Sequence, residues 1–220
     1  MNKVVYIADI GDDIDDLIAI QYLNSINRLD CVVLDGRSID HSRIAELEND
    51  NIEIVDSIPS GTRVVFCGGA FTAVNDFLKH SKLDLFVANG FFAGVGVVEE
   101  ADILPKFAGL AACRSYNPEL DSIAAAEIIY RHRDQLSYFL SKNVCHHENN
   151  IVGKWHKEQF NCRPNKKLHD VLMVKEGLNI LDKRDTLCAY EPVHIYRESS
   201  NKWSCAKSPN SNHYISVKYK

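Results

Sequence analysis

The chain has 220 residues, enough for one compact α/β or α+β domain with a full core, and its 45% apolar and 25% charged residues argue for a folded soluble protein rather than a disordered one. A formal net charge of −5 argues against a general nucleic-acid binder. No apolar run is long enough to span a bilayer, and the opening apolar stretch is too short for a signal peptide, so the expectation is a cytoplasmic protein with no membrane partner. Seven cysteines, an odd number with no C-x-x-C pair, read as reduced thiols of an intracellular protein.

In chain order, residues 3–9 (KVVYIAD) form an apolar run ending in Asp, the pattern of a buried strand in a parallel sheet. An acidic turn follows, then helical spacing at Leu17, Ile20 and Leu23. The strand–loop–helix unit repeats. Residues 31–34 are a second strand, with a helix near 41–47, and residues 63–67 are a third, with a helix over about 71–79. Residues 83–88 are a fourth strand, before a glycine-bearing stretch at 89–98. The spacing predicts a helix over 120–131, a strand over 136–140 and a helix over 167–178, with a polar, irregular stretch at 141–167 between the last two. The last thirty residues alternate and carry turn signals at 198–201 and 208–210, which predicts antiparallel strands. The whole reads as one domain over 1–220. It is a Rossmann-like, mostly parallel sheet flanked by helices, with antiparallel strands at the C-terminal end.

Asp9, Asp12, Asp13, Asp15 and Asp16 crowd the loop after the first strand. In open α/β sheets ligands bind at that edge, and a hard cation such as Ca²⁺ or Mg²⁺ would relieve the mutual repulsion. A solvated acidic loop is the plain alternative, and the dipole of the following helix favours Asp15 and Asp16 in either case. An EF-hand fits poorly, because Ile20 stands where its last Glu belongs. A phosphatase-type D-x-D fails at Asp9, because position 11 is Gly11. Cys145, His146, His147, His156 and Cys162 have spacings that match no standard zinc site.

The acidic loop resembles the D-x-D-x-G-x-D-D loop of the inosine-uridine nucleoside hydrolase family. Asp9-Ile10-Gly11-Asp12-Asp13-Ile14-Asp15-Asp16 keeps three of its four acids, with Gly11 at the second. Further pieces follow in the family's order. Gly69-Ala70-Phe71-Thr72 is similar to its G-P-L-T segment. Ser115-Tyr116-Asn117 with Asp121, Ala124 and Ala125 is similar to E-F-N-x-x-x-D-x-x-A-A. Leu168-His169-Asp170 is similar to its late H-D pair, and Glu191-Pro192-Val193 to its C-terminal region.

The resemblance implies Ca²⁺-dependent hydrolysis of the N-glycosidic bond of a ribonucleoside or related riboside, in purine or pyrimidine salvage. It implies Asp16, Asp170 and the Thr72 carbonyl as metal ligands, Asp15 and Asn117 as ribose contacts, and His169 as the acid assisting the leaving base. The family's general base, also a ligand, falls on Gly11. Asp9, Asp12 or Asp13 could replace it, with Asp9 the preferred choice for both roles. Arg37 and Arg114 bring positive charge where the family is neutral, which raises a phosphate-bearing ligand as a possibility beside simple salt bridges. The alternative to an enzyme is a weakened or inactive nucleoside- or nucleotide-binding protein that keeps the calcium–ribose pocket. A homo-oligomer is implied by family analogy alone.

Overall fold

The computed structural model describes residues 2–11, 14–35, 40–147, 167–199 and 201–220. Asp12, Asp13, Arg37, His156 and Cys162, named above, lie outside the described residues.

The α/β expectation holds. Ten strands among the described residues form one sheet in the order β3-β2-β1-β4-β5-β7-β10-β8-β9-β6. The first half is β1 (Val4–Ala8), β2 (Leu29–Leu34), β3 (Ile54–Val55), β4 (Val64–Cys67), β5 (Leu85–Asn89) and β7 (Ser137–Leu140), all parallel. β10 (His213–Tyr219) joins β7 in parallel; β8 (Cys188–Ser199), β9 (Lys202–Lys207) and β6 (Ala112–Arg114) then continue antiparallel.

β1 shows why its sequence is apolar without alternation. Val4, Tyr6 and Ala8 face one core, with Leu17 and Ile18 of α1 (Asp15–Ser25) and Met173 and Val174 of α7 (His169–Leu181). Val5 and Ile7 face the other, with Val74 of α3 (Thr72–Leu78) and Ala125 and Ile128 of α5 (Ser122–Arg131). Helices cover both faces, so both sets of side chains are buried. α2 (His41–Asn49) follows β2, capped by the Asp40 side chain on the Ser42 amide.

Four elements were missed. β3 and β6 have two and three residues, and α6 (Lys142–Cys145) has four, too few to display a period. The fourth is α4 (Tyr116–Leu120), five residues long; the helix expected over 120–131 is α5, which starts where Asp121 Oδ1 accepts from the Ile123 and Ala124 amides. The six described cysteines are free thiols, five of them buried. Among the described residues no helix is long and apolar enough to cross a membrane.

Candidate metal and ribose site

The strand order runs outward from β1 to β2 and β3 on one side, and from β1 to β4 and β5 on the other. The C-terminal ends of β1 and β4 therefore flank the point where the topology switches, the usual place for a ligand in such sheets. A cavity of about 340 Å³ opens there. It is lined by Asp9 after β1, Gly68 after β4, Asn89 at the end of β5 and Leu140 at the end of β7. Asp15 and Asp16 enter from the first turn of α1, and His169 and Asp170 from the first turn of α7. Asn117 of α4 and Lys142, Cys145 and His146 on or beside α6 complete the wall.

The sequence separates Asp15 and Asp170 by more than 150 residues; the fold joins them. The His169 amide donates to Asp15 Oδ2 at 3.1 Å. Tyr6, on β1 beneath the cavity, donates its hydroxyl to Asp16 Oδ1 at 2.9 Å, and the Asn89 amide donates to Asp170 Oδ1. Burial holds the Asp15 carboxyl well above the usual carboxylate range, and Asp170 beside it adds to the effect. Burial likewise raises Asp16, followed by repulsion from Asp15 and then from Asp9. Asp9, Asp15, Asp16 and Asp170 are all buried.

Gly68 keeps open the space between these groups. A Cβ there would lie 2.3 Å from Asp16 Oδ1, 2.5 Å from the Tyr6 hydroxyl and 2.8 Å from Asp170 Oδ1. That is a small, oxygen-walled cradle that a methyl group would fill. Its donors are hard and anionic, the set that suits Ca²⁺ or Mg²⁺ rather than a soft metal. As the side chains stand, no three His, Cys, Asp or Glu among the described residues are drawn together as a metal shell. The match lies in donor chemistry and in the cradle.

Other expected residues divide. Asn117 lines the cavity, and its amide donates to the Gly68 carbonyl at 2.5 Å and the Asn89 carbonyl at 3.3 Å. Thr72 is not among the lining residues: its hydroxyl bonds Asp121 at 3.1 Å in the first turn of α3. Just before that stretch, Gly68 lines the cavity. A Cβ on Gly69 would sit 2.6 Å from the Asp35 carbonyl and 3.1 Å from the Asp9 amide. Arg114 also lies outside the lining, with its exposed guanidinium on Glu119 at 3.0 Å. Gly11 is not a lining residue, whereas Asp9 is.

His146, named above only for a spacing that fits no standard zinc site, lines the cavity. Its ring meets that of His169 edge to face at 4.9 Å, and Phe107 packs on it at 5.9 Å. Burial pushes the His146 imidazole down to about 4, helped by nearby Lys106, Lys142 and Lys167, so it is neutral at pH 7. Tyr6, Asn89 and Lys142 were missed. Only strand order, absent from a linear pattern, brings them to the acids.

No protein-family model matches the chain, and no curated protein does either.

Proposed function

We propose that this cavity binds a ribosyl ligand through a divalent cation and hydrolyses its N-glycosidic bond, releasing base and ribose. The observation that carries the reading is the meeting of four buried carboxylates, from the loop after β1, from α1 and from α7, on one cavity at the topological switch point. So many buried acids require a compensating charge. Asp16, Asp170 and Asp9 would hold a cation such as Ca²⁺, which when bound would offset part of the cluster's charge and supply an ordered water of lowered pKa.

The chain's own residues supply the rest. Asp15 accepts hydrogen bonds from ribose hydroxyls, and Asn117 orders the cavity wall through the Gly68 and Asn89 carbonyls. Asp9 takes the proton of the attacking water, which strengthens the nucleophile as the glycosidic bond breaks. The carboxylates also stabilise positive charge developing on the sugar. His169, braced by His146, donates a proton to the departing base. Phe91 and Leu140 give the cavity an apolar wall beside these groups.

The test is release of free base from a panel of ribonucleosides, with Ca²⁺ and with a chelator. Base release that stops on chelation is expected. Asp9→Ala should cut turnover by at least about a hundredfold, the scale of a lost general base; retained turnover would remove Asp9 from that role. Gly11 favours a second reading, a binding protein without turnover, since it offers no carboxylate and does not reach the cavity. Calcium and ribose binding without cleavage of any riboside would select that reading.

A further inference from the structure

The cavity is bipolar. Its floor is acidic, but the wall on the side of α6 is cationic. Lys142 lines the cavity, and its Nζ donates to the Arg114 carbonyl at 3.2 Å. Lys106 is not itself a lining residue; it extends over the Phe107 ring, 5.0 Å from its centroid, and that ring packs on His146, which does line the cavity. Lys106, Lys142 and Lys167 are close enough to His146 for all three to disfavour its protonation. Lys106 is itself lowered, first by burial and then by Lys142 and Lys167, so the lysines repel one another. Among the described residues neither Lys106 nor Lys142 has a carboxylate partner; Arg114, by contrast, is neutralised by Glu119.

We infer that Lys142 and Lys106 form an anion subsite for the phosphate of a phosphorylated riboside, so that the preferred ligand is a ribosyl monophosphate rather than a bare nucleoside. The inference rests on the ribose reading above and names its substrate class. A ligand that satisfies both walls must be rich in hydroxyls at one end and anionic at the other. A ribose monophosphate is, and its dianion meets two ammonium groups that otherwise repel each other.

Calorimetric titration of the full chain in Ca²⁺ with ribose and with ribose 5-phosphate tests it. Ribose 5-phosphate should bind at least about tenfold tighter, the scale of one charge-assisted contact, and the paired change Lys106→Gln, Lys142→Gln should bring the two affinities together. Raising the salt concentration should weaken ribose 5-phosphate and leave ribose unaffected in the unaltered protein, a readout that does not depend on the variant folding. Equal affinities would overturn the subsite while leaving the ribose reading intact. A phosphate preference that survives the double substitution, or that salt does not weaken, would also overturn it. Failure of both sugars to bind would remove the ribose reading, and the subsite with it.

Discussion

A methyl group at position 68 would occupy the space between Asp16 and Asp170. Gly68 is thus required by what approaches it, not by its backbone angles: two carboxylate oxygens and a phenol converge within 2.8 Å of the missing Cβ. Gly68→Ala should force Asp16 and Tyr6 aside, break the 2.9 Å bond between them and close the cradle. The expected outcome is loss of most of the Ca²⁺-induced rise in melting temperature, with the chelated protein still folding cooperatively. An unchanged Ca²⁺ response would show that the cation, if bound, sits elsewhere. The same packing explains why isolated acids in the sequence understate the site. Asp15 and Asp16 look like helix-start residues until Asp170 is set against them.

At the scale of elements, α1 and α7 carry the acids to the cavity at their N-termini, where the helix dipole favours negative charge. Their other ends are tied as well. Arg28, just past α1 and 4% exposed, makes two 2.9 Å bonds to Asp182 at the end of α7. Further along α7, fully buried Glu176 accepts from the Leu187 and Cys188 amides at 2.7 and 3.1 Å and from the Tyr190 hydroxyl at 3.1 Å. This anchors α7 to β8. Glu176→Ala leaves three donors without their acceptor and should cost about 2–4 kcal/mol, measured by urea unfolding. A cost below about 0.5 kcal/mol would mean that water or a local shift replaces the carboxylate. Because α7 holds His169 and Asp170, the same variant should also weaken Ca²⁺ binding, although Glu176 touches no cavity group.

For the molecule as a whole, acid stability draws on two histidines that burial lowers, His146 and His213, the latter on the strand where parallel pairing gives way to antiparallel. The His213 ring is buried near Phe139, and burial lowers it to about 4 from an ordinary 6.5. The sign follows. The unfolded chain takes up a proton as pH falls through 6.5 and the folded chain does not until about 4, so stability is full above 6.5 and drains away between the two. His213→Phe should spare the protein about 2–3 kcal/mol of the stability otherwise lost between pH 7 and 4.5, read from denaturant midpoints at each pH. An unchanged acid limb would refute that role. The parallel half of the fold was legible because strands buried on both faces announce themselves as unbroken apolar runs, as at Val4–Ala8 and Val64–Cys67. The edges β3 and β6 were not, since so few residues carry no period. In the site, Asp9, Asp15, Asp16, Asn117, His169 and Asp170 were legible and face the cavity. Thr72 was assigned by local likeness and Arg114 as a charged departure from the family; neither lines the cavity, and their side chains bond Asp121 and Glu119. Tyr6, Gly68, Asn89, Lys142 and His146 gain their place only from strand order and helix packing.

The bond from His169 to Asp15 spans 154 positions of the chain. During synthesis, then, a nascent chain lacking α7 carries a half-built acidic pocket, with Asp9, Asp15 and Asp16 but without Asp170. Closing so long a loop comes late and slowly. A ribosome-bound fragment ending before residue 168 lacks Asp170 and should not bind calcium at the proposed site.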